Sequence, residues 1–236
     1  MISVKSIEQK TMTEEKKREA KKDIVAFYVG RPLSYILTIP FLKTKMTPNQ
    51  ISILSIVPLI IGTALVTISS NQFVLLLSWL CFFLWNLLDG VDGNVARFKG
   101  ITSPMGSVID AMAGYAAMYL SFLTMGIIAS DYSQTLFFTQ KTYLILGSLS
   151  GVFVLFPRLI MHKAINTVGN KNSEHYKGRK NFGIIEMIAL NVTSITGFAQ
   201  IFMLLAILLK LSDLFTLVYF LINLLVMVIS IKKIIK

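Results

Sequence analysis

Residues 73–118 read FVLLLSWLCFFLWNLLDGVDGNVARFKGITSPMGSVIDAMAGYAAM, two apolar runs joined by a short polar stretch that carries Asp89, Asp92 and Asp110. Each run is long enough to cross about 30 Å of hydrocarbon as a helix. Carboxylates at their meeting point are expensive there, since an ionised Asp costs about 2.5 to 3.5 kcal/mol at the bilayer centre and less towards the interface. Three such charges at the mouth of two helices call for a cation. A divalent metal held by carboxylate oxygens and facing water would remove most of that cost and points to chemistry on a phosphate.

The surrounding composition agrees with a membrane setting. The chain has 236 residues, of which 54% are hydrophobic and only 15% charged, and its mean hydropathy is +0.68. This predicts an all-α integral membrane protein. Spans are expected at about 50–69, 73–95, 104–129, 141–161, 183–208 and 213–231, which makes six helices. The positive-inside rule orients them. Ten basic residues lie in 1–46, Arg97 and Lys99 follow helix two, six run from Arg158 to Lys180 and three close the chain, so 21 of the 23 fall on one side. Lys141 and Lys210 alone fall on the other. Both termini and the acidic stretch are therefore expected on the cytoplasmic side of the cell membrane, and this topology accounts for the net charge of +11 without nucleic acid as a partner. Cys81 is the single cysteine, which precludes an internal disulfide and reads as a helix-surface residue. No apolar core with a small-residue cleavage site opens the chain, so the first span is expected to insert and stay.

Residues 13–25 alternate charge among helix formers and predict a solvated or surface-lying helix. PLSYILTIPFL, residues 32–42, is too short to span and is bounded by prolines, which suits an interfacial segment. Thr47 is placed to cap helix one, with Pro48 at its first position. Ser103 and Pro104 repeat that signal for helix three, and Gly100 lets the connection turn sharply. Helices two and three are thus expected as a hairpin. Asp89 and Asp92 share a face at i, i+3, and Asp110, about 9 Å into helix three at the usual rise, can come level with them. Gly90, Gly93 and Gly106 permit close approach or leave room for a ligand. The chain divides into a basic tail with an interfacial helix, 1–46, and a six-helix domain, 47–236.

The acidic stretch resembles the signature of the CDP-alcohol phosphotransferase (CDP-alcohol phosphatidyltransferase) family, D-x2-D-G-x2-A-R-x8-G-x3-D-x3-D, which spans the second and third of six helices. Asp89, Asp92, Gly93, Ala96, Arg97, Gly106 and Asp110 match it, and Arg31-Pro32 and TPNQIS at 47–52 look like the family's approach to helix one. The resemblance implies transfer of a substituted phosphate from a CDP-linked donor, CDP-diacylglycerol or a CDP-alcohol, to an alcohol with release of CMP, in phospholipid or surface-polymer synthesis. It also implies Mg2+ or Mn2+ and a homodimer. Asp89, Asp92 and Asp110 would hold the metal, with Gly93, Ala96 and Gly106 leaving space for the nucleotide and Arg97 supplying positive charge near phosphate.

The eighth position departs from the signature. Gly114 stands where the family has a fourth Asp that contributes to metal binding and is the proposed base. Glu186, the only other carboxylate inside a predicted span near the same side, is the candidate replacement, against a role as a helix-start charge or a partner for Arg179 or Lys180. Tyr115 adjoins Gly114 within reach of the site, although a tyrosine near a membrane interface is more often a packing or belt residue. Arg158, His162, Lys163, Arg179, Lys180 and Asn181 lie in the 158–182 connection and suit a phosphate-bearing acceptor, or are an ordinary basic loop. His162 and His175 have no zinc-like spacing. Two further readings stand beside the transferase: a relative that binds CDP compounds or partners an active enzyme without catalysis, and a small cation carrier, which the clustering of the carboxylates near one face disfavours.

Overall fold

The computed structural model describes residues 2–131, 138–168 and 184–235, with the side chains of 168 and 184–186 outside that description. Its elements are α1 (Val4–Thr11), α2 (Glu14–Ala20), a π-helical turn (Ala26–Gly30), α3 (Arg31–Leu42), α4 (Pro48–Ile68), α5 (Gln72–Lys99), α6 (Pro104–Asp131), α7 (Gln140–Val168), α8 (Ile184–Thr193), α9 (Phe198–Leu208) and α10 (Ser212–Ile235). Helices α4, α5, α6, α7 and α10 are each long and apolar enough to cross a membrane, and α8 with α9 reach that length and apolarity only as a pair bent by 46°, a broken sixth span or a re-entrant loop. The chain is an all-α, multi-pass membrane protein, as its hydropathy predicts.

Start and stop signals act where the sequence places them. Thr47 and Gln50 form a reciprocal cap on α4, the Gln50 amide donating to Thr47 Oγ1 at 3.3 Å and the Thr47 amide to Gln50 Oε1 at 2.9 Å. Gly100 ends α5 at φ 68°, a left-handed conformation that glycine adopts without steric cost. Ser103 Oγ then accepts the Gly106 amide at 2.9 Å in the first turn of α6.

Three expectations need correction. The surface helix expected over residues 13–25 is present but shorter, as the largely exposed α2 over Glu14–Ala20, and a separate helix α1 precedes it with Ile7 completely buried. The polar connection does not begin at Arg158, because α7 continues to Val168. Charged residues there extend the helix, as Lys and His side chains are compatible with helical backbone once the apolar core is behind them. Helices two and three meet in the short turn after Lys99, yet α5 packs chiefly on α4 and α6 chiefly on α7 and α4, so the hairpin is splayed around α4.

The core lies midway along the bundle. Phe215 and Tyr219 stack on each other with ring centroids 4.3 Å apart, Phe122 packs beside the pair at 6.4 and 5.5 Å, and Trp85, Phe82 and Met125 are buried in the same cluster. Interhelical hydrogen bonds supplement this packing, as expected where lipid removes the hydrophobic drive between helices. Ser78 donates to the Gly62 carbonyl at 2.7 Å, Thr63 pairs with Thr124 at 3.0 Å and Asn223 donates to Ser150 at 2.8 Å.

Candidate active site

The ends of α3, α4, α5 and α6 and the break between α8 and α9 surround one cavity of about 520 Å³. All of Asp89, Asp92, Gly93, Ala96, Arg97, Gly106 and Asp110 line it. A spacing read along one dimension therefore corresponds to one surface in three. Asp89 and Asp92 enter from the same face of α5, and Asp110 from α6, near enough for their charges to interact.

The surroundings of the carboxylates differ. Asp92 is only 4% exposed and accepts a hydrogen bond from Ser52 of α4. Asp89 is half-buried and Asp110 exposed to the cavity, and among the described residues neither takes part in an ion pair. Arg97, one turn beyond Gly93, is steadied by Asn94, whose Oδ1 accepts from Arg97 Nη2 at 3.3 Å. Asn94 in turn donates to Thr38 Oγ1 at 3.2 Å and Ser34 Oγ at 3.4 Å, which ties this end of α5 to α3.

Two glycines create the clearances. A Cβ at Gly90 would lie 2.8 Å from Ser34 Cβ, so its absence lets α3 and α5 touch. At Gly93 a Cβ would lie 2.8 Å from Arg97 Nη2, so the guanidinium folds back over bare backbone. The Gly114 position is open, with nothing within 4 Å of a Cβ built there.

The opposite wall was not legible as part of the site. Thr196, in the break between α8 and α9, lines the cavity, and its carbonyl accepts from Asn86 Nδ2 at 3.2 Å, while Asn86 also donates to Gln200 Oε1 at 2.7 Å. Asp23 and Ala20 reach the cavity from the N-terminal segment. Ser194 Oγ donates to Asp23 Oδ2 at 2.7 Å, and the Ile24 amide donates to Asn191 Oδ1 at 2.9 Å. These bonds latch residues 22–24 to the broken helix. Asn49 and Arg31, both within segments that the sequence singles out, also line the cavity.

The other predicted site residues stand elsewhere. Arg158, His162 and Lys163 lie on the last turns of α7 and do not line the cavity, and His162 is hydrogen-bonded to Tyr115. Glu186 lies in the first turn of α8, its side chain outside the described residues, and Arg179, Lys180 and Asn181 are outside them as well.

The sequence profile of CDP-alcohol phosphatidyltransferases matches residues 45–231. The chain belongs to the CDP-alcohol phosphatidyltransferase family. Membership places it among membrane phosphatidyltransferases, a family that typically depends on divalent metal and takes CDP-linked substrates. No curated protein matches the chain. Asp89, Asp92 and Asp110 offer carboxylate oxygen alone, which suits a hard cation in its chemistry, and among the described residues none of the three takes part in an ion pair. Among the described residues no three His, Cys, Asp or Glu side chains are drawn together into a metal-ligating group.

Proposed function

We propose that this protein transfers a substituted phosphate from a CDP-linked donor, CDP-diacylglycerol or a CDP-alcohol, to an alcohol hydroxyl and releases CMP, in phospholipid or surface-polymer synthesis. One observation carries the reading: all seven matched signature residues line a single cavity. Asp89, Asp92 and Asp110 are assigned to hold Mg2+ or Mn2+, which when bound would neutralise the donor pyrophosphate. Ser52 holds the Asp92 carboxylate in place. Gly93, Ala96 and Gly106 leave the cavity wall low enough for a nucleotide, and Arg97, held by Asn94, offers a donor fork to phosphate oxygens. In the transfer the acceptor oxygen bonds to phosphorus, the bond from phosphorus to CMP breaks, and the hydroxyl proton leaves to a base or to water. With glycine at 114, Glu186 is the candidate base, and Arg158, Arg179 and Lys180 are candidates for an acceptor phosphate.

The same proposal places the site and both termini on the cytoplasmic side, from the distribution of Lys and Arg. It assigns transfer to residues 47–236 and, on the family resemblance, a homodimer. The test is CMP release by the purified protein in lipid with Mg2+ or Mn2+, offering CDP-diacylglycerol and several CDP-alcohols against a panel of hydroxyl acceptors. Release that requires metal and acceptor and is lost in Asp92→Asn supports the transferase. A second reading, a non-catalytic member that binds CDP compounds, is favoured by the open, carboxylate-free space at Gly114, and nucleotide binding without release across the panel would select it.

A further inference from the structure

A second cavity of about 260 Å³ lies behind the wall that contains Arg31, Arg97 and Ala20. Its other side is built by Thr11, Met12, Lys16 and Glu19. Apart from Arg97, every one of these residues precedes position 45, where the family match begins, so the N-terminal segment builds most of this chamber.

The segment is docked rather than trailing. Ile7 and Thr11 of α1 are buried, Lys10 Nζ sits 4.4 Å from the centroid of the Phe98 ring, and Lys17 Nζ reaches Glu8 Oε1 at 3.3 Å to brace α2 against α1. Further along, the hydrogen bonds of residues 22–24 to Asn191 and Ser194 hold the far end. The chamber therefore has fixed walls on both sides.

Its charge is unbalanced. Lys16, Arg31 and Arg97 line it with one carboxylate, Glu19, and among the described residues none of the three cations forms an ion pair, Arg97 alone also feeling the Asp92 and Asp110 carboxylates across the shared wall. Cations gathered round one space repel unless an anion joins them, and two guanidinium forks with an ammonium present the donor set that tetrahedral oxyanions take. We propose that this chamber binds a phosphate-class anion, carried by a free phosphorylated small molecule or by the headgroup of an anionic lipid. Because Arg31 and Arg97 also line the carboxylate cavity, occupancy of the chamber would fix the wall shared with the larger site. Binding here does not depend on the transfer reading, and a protein inactive in CMP release would still show it.

The experiment uses the full chain in nanodiscs and compares wild type with Lys16→Gln and Glu19→Gln. Lys16 and Glu19 lie outside the transfer machinery. In the first arm, inorganic phosphate and glycerol phosphate are titrated calorimetrically in discs of zwitterionic phosphatidylcholine. In the second, discs with equal phosphatidylglycerol and phosphatidylcholine are analysed by native mass spectrometry for the lipid retained. Loss of a charge-assisted contact predicts binding weakened roughly tenfold in Lys16→Gln, and removal of the repelling carboxylate predicts tighter binding in Glu19→Gln, a gain that misfolding would not produce. That pattern in the first arm assigns a free phosphate, and in the second a lipid headgroup. Binding that neither substitution changes, or none in either arm, overturns the proposal.

Discussion

Ser52 donates its hydroxyl to the Asp92 carboxylate and so joins α4 to α5 at the buried edge of the acidic cavity. Asp92 is the least exposed of the three carboxylates, and this bond is what compensates part of its desolvation. A hydrogen bond to a charged group contributes about 1.5 to 3 kcal/mol, so Ser52→Ala is expected to lower CMP release by roughly ten- to a hundredfold through misplacement of Asp92. Asp92→Asn should abolish turnover in the same assay. Full activity in Ser52→Ala would show that Asp92 needs no anchoring from α4.

Gly114 bears on the missing carboxylate. It lies one helical turn after Asp110, on the same face of α6, and a Cβ added there meets nothing within 4 Å. Gly114→Asp is therefore expected to fold, with a melting temperature near the native value when divalent metal is present, since the gain of about 0.3 to 0.5 kcal/mol from replacing the poorer helix former is offset by repulsion from Asp110 at i, i+4. Metal-dependent CMP release with ordinary acceptors should rise. A fall in turnover with folding intact would mean that the native protein uses the open space for its own acceptor.

What could be read in advance follows from how far apart the interacting residues lie in sequence. The long spans were legible because each is an apolar run between caps, as with Thr47-Pro48 and Ser103-Pro104. The break at 194–197 was hidden because Ser194, Thr196 and Gly197 sit inside an otherwise apolar stretch whose hydropathy still averages as one span. In the site, the signature residues were found because a single hairpin fixes their spacing. Ser52 and Asp92 are 40 residues apart, Ser34 and Asn94 60, and Asp23 and Ser194 171. No local periodicity reports pairs at such separations. α1 is not legible for a different reason: it is polar on all but a narrow strip, and it packs on α3 and α5 with Ile7 buried.

Gly90 and Gly93 are three residues apart and have opposite neighbours, which makes them a matched pair. Gly90→Ala forces a methyl to within 2.8 Å of Ser34 Cβ, and overpacking of this kind costs about 1 to 3 kcal/mol. Its expected signature is a lower melting temperature with α3 loosened from α5. Gly93→Ala meets only the flexible end of Arg97, so the fold should persist while the guanidinium is displaced. The expected result is a raised KM for the CDP-linked donor with the melting temperature unchanged. Equal stability losses in both variants would count against Arg97 as the group displaced.

Asn191 is the remaining lever, because one side chain holds the N-terminal segment to the broken helix from both directions. Its Oδ1 accepts from the Ile24 amide at 2.9 Å, and its Nδ2 donates to the Lys22 carbonyl at 2.6 Å and to the Met187 carbonyl at 2.9 Å. Asn191→Ala leaves part-buried backbone groups without these partners, a penalty of about 1 to 3 kcal/mol for each group that stays buried, so the latch should open towards water. Amides of residues 22–26 are expected to exchange faster by tenfold or more while those of α5 and α6 keep their protection. Because Asp23 and Ala20 line the carboxylate cavity, KM for the donor should rise with that opening. Unchanged exchange at residues 22–26 would show that Asp23 and Ser194 suffice to hold the segment, and the effect would then be sought in Asp23→Ala.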